Sequence, residues 1–364
     1  MARLDSLLRR LKQDGGSDLH LSAGLVPRMR RRGHIEEIEG EANLEDAALR
    51  ELLRELASEV QWQEYEAHRD LDFAYALAGV ARFRANYLAQ ENGAAAVFRI
   101  VPEKVLSSEE LGLPPAIESL AQLAKGLVLV TGPTGSGKST TLAAIIDRIN
   151  RSHTRHVVTI EDPIEFVHDN KQAVFSHREV GAHTKSFGAA LKAALRQDAD
   201  VVLVGEMRDR ETIGLAITAA EMGLLVFGTL HTNSAAKTID RIIDAFPAKE
   251  QEQIRLSLSE SLAGVVSQLL LPTADGRGRC AVHEILLRTP GLPNVIREGN
   301  TPMLSSIIQS GKGAGMQSMD DALFAAVKDG RVRVEDAQAK AQDKARFQPL
   351  VGGAAAAGAP GAPA

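Results

Sequence analysis

The spacing of apolar residues divides the chain into two differently patterned parts, with the change near residues 101–114. Before it, Leu4, Leu7, Leu8 and Leu11 share one face of a predicted amphipathic helix over 3–13, which Gly15-Gly16-Ser17 ends. Leu19, Leu21, Met29 and Ile35 fall in short strand-like pieces interrupted by Gly24 and Pro27. Residues 45–68 read as one helix, with Leu49, Leu52, Leu53, Leu56 and Val60 at helical spacing. Three alternating runs follow, at 71–77, 81–87 and 96–100, and predict a half-buried antiparallel sheet. Phe83 then faces inward, so Arg82 and Arg84 project together from the other face.

Beyond Leu113-Pro114-Pro115, which reads as a hinge, a helix is expected at 116–124. Strands are expected at 127–131, 156–160, 200–205, 224–230 and 280–287, with helical patterns between most of them. This alternation predicts an α/β domain whose helices cover a largely parallel sheet. Small helices are expected at 290–298, 303–310, 319–328 and 334–344. Gly352 to Ala364 contains only Gly, Ala and Pro, cannot bury a core, and is expected to be disordered.

The first strand of the α/β part leads into Gly132-Pro133-Thr134-Gly135-Ser136-Gly137-Lys138-Ser139-Thr140, and a helix follows. This is the P-loop pattern in its required setting. Glycines at 132, 135 and 137 let the backbone turn so that its N–H groups converge on an anion. The new helix adds its positive dipole end. Lys138 is expected to reach the β- and γ-phosphates, and the Ser139 hydroxyl to ligate Mg²⁺. A glycine turn that only joined strand to helix would need neither.

Three more strand ends carry candidate chemistry. Thr159-Ile160-Glu161-Asp162-Pro163-Ile164-Glu165 places three carboxylates in five residues, a density that favours a cation or an ordered water nearby. Val201-Val202-Leu203-Val204-Gly205-Glu206 reads as a buried strand ending in a carboxylate, with Gly205 where many P-loop enzymes place a metal-holding aspartate. Glu206 is expected to act on the metal's water shell or on the attacking water. Glu161, Glu165 and Glu206 all stand as alternatives for the general base. Gly228-Thr229-Leu230-His231-Thr232-Asn233-Ser234 puts His231 at a strand end, where α/β ligands bind, although a lone histidine is more often structural. The cluster Arg28, Arg30, Arg31 and Arg32 reads as a solvated face.

Composition narrows the partners. The net charge of -5 and 4% aromatic content argue against a nucleic-acid motor, which usually needs a basic surface and stacking side chains. One cysteine, Cys280, excludes an internal disulfide and a multi-cysteine zinc site, as suits a reducing cytoplasm. No run approaches the ~18 apolar residues of a membrane span. The first residues lack the apolar core of a secretion signal. Membrane association is therefore expected to go through a partner.

Gly132–Thr140, Thr159–Glu165, Val201–Glu206 with Met207-Arg208-Asp209, and Gly228–Ser234 resemble the Walker A, Asp box, Walker B and His box of the type II/IV secretion ATPases. Within that superfamily the chain is similar to the retraction ATPases of type IV pili. Ser17–Gly24, Ala81–Asn86, Ala235–Arg241 and Ser259–Leu262 add to the likeness, which covers about residues 1–347. The resemblance implies a PAS-like α+β domain over 1–100, a linker over 101–114, a RecA-like ATPase core over 115–288 and a C-terminal helical subdomain over 289–347. It implies ATP and Mg²⁺ as ligands and a homohexameric ring. Nucleotide would lie between two domains, with Arg82 and Arg84 directed at its phosphates. Glu161, Glu165, Glu206 and His231 would join the P-loop as site residues.

The same resemblance implies a cytoplasmic motor, peripherally associated with the inner membrane, that drives a membrane platform protein so that pilins leave the pilus base. Paralogous pilus ATPases are further implied partners. Extension and type II secretion ATPases usually carry an additional N-terminal domain and a four-cysteine motif. This chain begins almost at the PAS-like domain and has one cysteine, which favours the retraction type. In the opposite direction, Gly291-Leu292-Pro293-Asn294-Val295-Ile296-Arg297-Glu298 matches a retraction element only in its second half, with Pro293 where the family has arginine. An accessory paralogue, an assembly or secretion ATPase, and a nucleotide-dependent regulator that barely hydrolyses ATP are the alternatives.

Overall fold

A computed structural model describes residues 3–31, 33–101 and 104–350. Arg32, Pro102, Glu103 and the whole of Gly352–Ala364, the tail expected to be disordered, lie outside the described residues. The chain divides into two units. One comprises residues 1–104 together with 163–167, and the other 105–162 and 168–364.

The N-terminal unit runs α1 (Arg3–Gln13), β1 (Asp18–Ser22), β2 (Arg28–Arg31), β3 (His34–Glu37), α2 (Asp46–Leu56), α3 (Glu59–His68), β4 (Asp70–Leu77), β5 (Ala81–Gln90) and β6 (Gly93–Val101). Its six strands form an antiparallel sheet in the order β3-β2-β1-β6-β5-β4. Alternation explains the packing. On β5, Ala81, Phe83, Ala85 and Tyr87 are buried, while Arg82 is half-buried and Arg84 exposed. The four leucines of α1 are buried in the same core.

The expected helix over 45–68 is two helices. Its break lies at Ala57-Ser58, where Ser58 Oγ accepts from the Gln61 N–H and the Gln61 side chain accepts from the Ser58 N–H. This capping box starts a new helix in another direction. Val60 consequently faces solvent, 74% exposed, rather than continuing the leucine stripe.

The C-terminal unit runs α4 (Pro115–Glu118), β7 (Gly126–Thr131), α5 (Lys138–Ser152), β8 (His156–Glu161), β9 (Val174–Glu179), α6 (Phe187–Ala194), β10 (Val201–Val204), α7 (Arg210–Glu221), β11 (Leu225–Leu230), α8 (Ala235–Asp244), α9 (Ala248–Ser261), β12 (Leu262–Pro272), β13 (Arg279–Leu287), α10 (Leu292–Arg297), α11 (Leu304–Ser310), α12 (Met319–Lys328) and α13 (Val334–Lys340). The sheet order is β13-β12-β7-β11-β10-β8-β9, parallel throughout except for β13. Every residue of β7, β10 and β11 is buried, because helices cover both faces of a parallel sheet. Two apolar clusters, one per face, form its core.

Two strands lie outside the expected set. The edge strand β9, Val174-Phe175-Ser176-His177-Arg178-Glu179, is too polar to signal a strand. Strand β12 follows α9 directly, Leu262 being both the helix cap and the first strand residue, so neither Gly nor Pro marks the change. The helix expected at 116–124 is a single turn, α4, followed by a 3-10 turn at 119–122.

Candidate active site

Because β7, β8, β10 and β11 are parallel, their carboxyl ends share one edge of the sheet. The P-loop leaves β7 there. Gly132, Gly135 and Gly137 adopt φ of 148°, 77° and 84°, backbone that only glycine enters freely. Gly132 has a steric reason as well: a Cβ at that position would lie 2.3 Å from the Gln268 carbonyl oxygen. Lys138 opens α5 and is buried, and its Nζ donates to the carbonyls of Gly132 (3.0 Å) and Pro133 (3.2 Å). Ser139 and Thr140 follow in the first turn of α5, half-buried.

Glu161 ends β8 and is buried. Gly205, in the place expected for a metal-holding aspartate, has a packing explanation. A Cβ there would sit 3.3 Å from both the Glu161 Cα and the Ile160 carbonyl oxygen, so a side chain would crowd the neighbouring strand. The carboxylate moves one residue on, to Glu206. The turn carrying it is fixed by Thr229, whose Oγ1 donates to the Gly205 carbonyl (2.5 Å) and whose carbonyl accepts from the Met207 N–H (3.0 Å).

Glu206 is held between two cationic or donor groups. Arg208 Nη2 lies 2.7 Å from Oε2, and His231 Nε2 donates to Oε1 at 2.8 Å. A carboxylate only accepts, which assigns the proton to that ring nitrogen. Burial would raise the Glu206 pKa, but the hydrogen bonds and charges of Arg208 and His231 outweigh it and leave the carboxyl below its ordinary value. Glu206 is thus an ionised acceptor at neutral pH. Asp209 serves elsewhere: it caps α7 by accepting from the Thr212 N–H and hydroxyl, both at 2.8 Å.

The site therefore brings together the P-loop, Glu161, Glu206 and His231 along one sheet edge. Arg82, Arg84 and the exposed Glu165 belong to the N-terminal unit. The motifs quoted from the sequence include Arg208 and Thr229 but give them no role in the site, and Gln268 lies outside them all. Arg208 was legible as the first cation after Glu206, whereas Gln268 lies on a strand that the spacing did not mark.

The donor set fits a nucleoside triphosphate with Mg²⁺. Ser136 Oγ is buried beside Gly132 with no hydrogen-bond partner, a polar atom left over in an anion-shaped loop. Hydroxyl and carboxylate oxygens suit Mg²⁺, which takes one or two protein ligands alongside phosphates and water. Among the described residues, no group of three or more His, Cys, Asp and Glu converges. No helix among them is long and apolar enough to cross a membrane.

Residues 8–338 match the family model described as type II/IV secretion system protein. The chain is 48% identical over 344 residues to the type IV pilus retraction ATPase PilT of Pseudomonas aeruginosa, covering 94% of this chain and 99% of that one. It is 54% identical over 279 residues to a twitching motility protein of Neisseria gonorrhoeae, 77% of this chain and 75% of that one. A crystal structure of the pilus retraction motor PilT with bound ADP superposes with a TM-score of 0.89 at 41% identity, covering 96% of this chain and all of that one. A chain whose residues 8–338 match the family model, and whose P-loop and acidic strand ends share one sheet edge, belongs to the type II/IV secretion system protein family and is PilT-like within it.

Proposed function

We propose that this chain is a motor ATPase that couples ATP hydrolysis to the retraction of type IV pili. The observation that carries the reading is the meeting of Glu206 with His231 and Arg208 on the sheet edge where the P-loop opens. Phosphoryl transfer of this kind is positioning plus charge stabilisation, and needs no covalent nucleophile.

In this reading the P-loop N–H groups and Lys138 hold the β- and γ-phosphates. Glu206 accepts a hydrogen bond from the attacking water, and His231, tied to Glu206, sits where it can respond to the γ-phosphate. Glu161 and Glu165 are the further carboxylates of the proposal. Mg²⁺, when bound, neutralises charge on the phosphates, and Ser139 and Glu206 are the residues that would hold it. Arg82 and Arg84 enter as cations whose loss lowers turnover. A homohexamer acting on an inner-membrane platform protein, from the cytoplasmic side, is the assembly that fits the family.

A second reading, an accessory paralogue, draws on one feature: Pro293 occupies the first turn of α10, where the retraction element carries arginine. Proline suits that position, so the helix forms without the charge. Deleting the gene separates the readings. A retraction motor leaves cells heavily piliated and immobile, and a Glu206→Gln variant fails to restore movement. Loss of pili would indicate an assembly ATPase, and restoration by the Glu206→Gln variant a regulator.

A further inference from the structure

Strand β12 places two polar residues, Ser267 and Gln268, within an otherwise apolar run, and both are almost fully buried. Alternation sends them to opposite faces of the sheet. Ser267 Oγ lies 2.9 Å from Thr131 Oγ1 at the end of β7, paired across the strands. Gln268 serves the other face. Its Nε2 donates to the Ser136 carbonyl (2.6 Å), and its Oε1 accepts from Thr141 Oγ1 (2.7 Å) in the first turns of α5. One amide thus ties the P-loop to the helix it launches. Gln268 and Thr141 are each 2% exposed, so both bonds form away from water, where a lost partner is expensive.

The bond to Ser136 has a directional consequence. In a planar trans peptide the C=O and N–H point opposite ways. Ser136 C=O and Gly137 N–H belong to one peptide. Holding the carbonyl toward Gln268 therefore turns the Gly137 N–H away from β12, and Gly137 is the residue that caps α5 with φ of 84°. At that glycine the peptide is otherwise easily rotated, because no Cβ restricts it. The backbone of Gln268 acts too, closing on Gly132 so tightly that only glycine fits.

We propose that Gln268 is a positioning residue for the phosphate loop: through the Ser136 carbonyl it fixes the direction of the Gly137 N–H, and so the readiness of the loop for phosphate. The inference rests on the ATPase reading above. It concerns a residue 132 positions from Ser136 in sequence, on the strand beside β7, which makes it testable without touching the loop itself.

The test uses the full chain, a fluorescent ATP analogue, steady-state hydrolysis and thermal melting. Gln268→Met keeps the side-chain length and removes both hydrogen bonds. It is expected to raise the nucleotide Kd and KM about tenfold, the worth of a buried hydrogen bond whose partner is stranded. Gln268→Glu can still accept from Thr141 but cannot donate to Ser136, and it is expected to bind nucleotide as poorly as Gln268→Met. Thr141→Val leaves the Ser136 bond in place and is expected to change the melting temperature more than the Kd. Normal Kd and KM in Gln268→Met, with only a lower melting temperature, would overturn the proposal. So would recovery of normal binding by Gln268→Glu, which also decides the matter if Gln268→Met fails to fold. Failure of the unsubstituted chain to bind nucleotide would instead sink the ATPase reading itself.

Discussion

Around the antiparallel sheet of the N-terminal unit the core is aromatic, with Trp62, Tyr65, Phe73, Phe83, Tyr87 and Phe98 buried together. Tyr87 meets Tyr65, Phe73 and Phe98 edge-on, at centroid distances of 5.9, 5.1 and 5.9 Å. Around the parallel sheet the core is aliphatic, built from Val, Ile, Leu and Ala with Phe227 and Phe246 as isolated rings. A strand with one covered face alternates, so half its positions carry all the burial and large rings are effective there. A strand covered on both faces needs compact branched residues at every position. The second arrangement pushes polar chemistry toward the strand ends, where Gly132, Glu161 and Glu206 stand, and each polar residue inside a strand, such as Ser267 or Gln268, needs its own partner. The first leaves it along an open face, where Arg82 and Arg84 stand.

The sharpest division between the two arrangements is functional. Lys138→Ala is expected to lower ATP turnover on the order of 10³-fold, the scale for losing a fixed charge-stabilising group. Far-UV circular dichroism should be unchanged. Phe83→Ala, in the aromatic core, is expected to do the reverse: about 4 kcal/mol of stability lost from the N-terminal sheet, typical of a buried ring removed. Hydrogen exchange read on β4, β5 and β6 would locate it, and normal protection there would contradict the packing account.

How much of this was legible in the chain follows the same division. Strands β7, β10 and β11 announce themselves because burial on both faces writes a mostly apolar run, and each is followed by a glycine or a polar residue, Gly132, Gly205 and His231. The P-loop was readable because its chemistry is local. Strand β12 was not, since α9 runs into it without a breaker, and with it the role of Gln268 was hidden. That role depends on a contact 132 residues away, which spacing cannot express. Likewise Glu165 reads as one cluster with Glu161, yet packing assigns residues 163–167 to the N-terminal unit. The break at Ala57-Ser58, where the backbone turns extended, was concealed because the apolar spacing runs on through Leu56 and Val60 and outweighed the Ser58–Gln61 capping pattern.

The parallel unit also carries a pH dependence of its own. Burial, with His177 nearby, pushes the His168 ring down to about 4, and burial with Arg331 nearby does the same to His283. Both rings are neutral in the folded unit, while the unfolded chain takes up their protons near 6.5. Their contribution is therefore complete above about pH 6.5 and is lost progressively as pH falls toward 4, on the order of 2–3 kcal/mol for each ring. His168→Phe preserves stacking on Phe175, whose ring lies 5.0 Å away, and should flatten this slope in a pH series of thermal melts. An unaltered slope would show that His168 is not held neutral. The smallest expected effect belongs to the capping box: Ser58→Ala should cost about 1 kcal/mol. It should fray α3 and leave the pH slope untouched, as chemical denaturation with hydrogen exchange on 59–68 would show.

The central claim is that the carboxylate at the end of β10 works on water rather than on nucleotide binding. Glu206→Gln keeps the size of the side chain and its contact with His231, but removes the charge that Arg208 holds in place. Single-turnover hydrolysis and ATP affinity, measured together on this variant, test the claim most directly. The account predicts ATP binding within a few-fold of the unsubstituted chain and hydrolysis reduced on the order of 10²-fold or more. Hydrolysis at the normal rate, or a loss explained wholly by weaker binding, would contradict it.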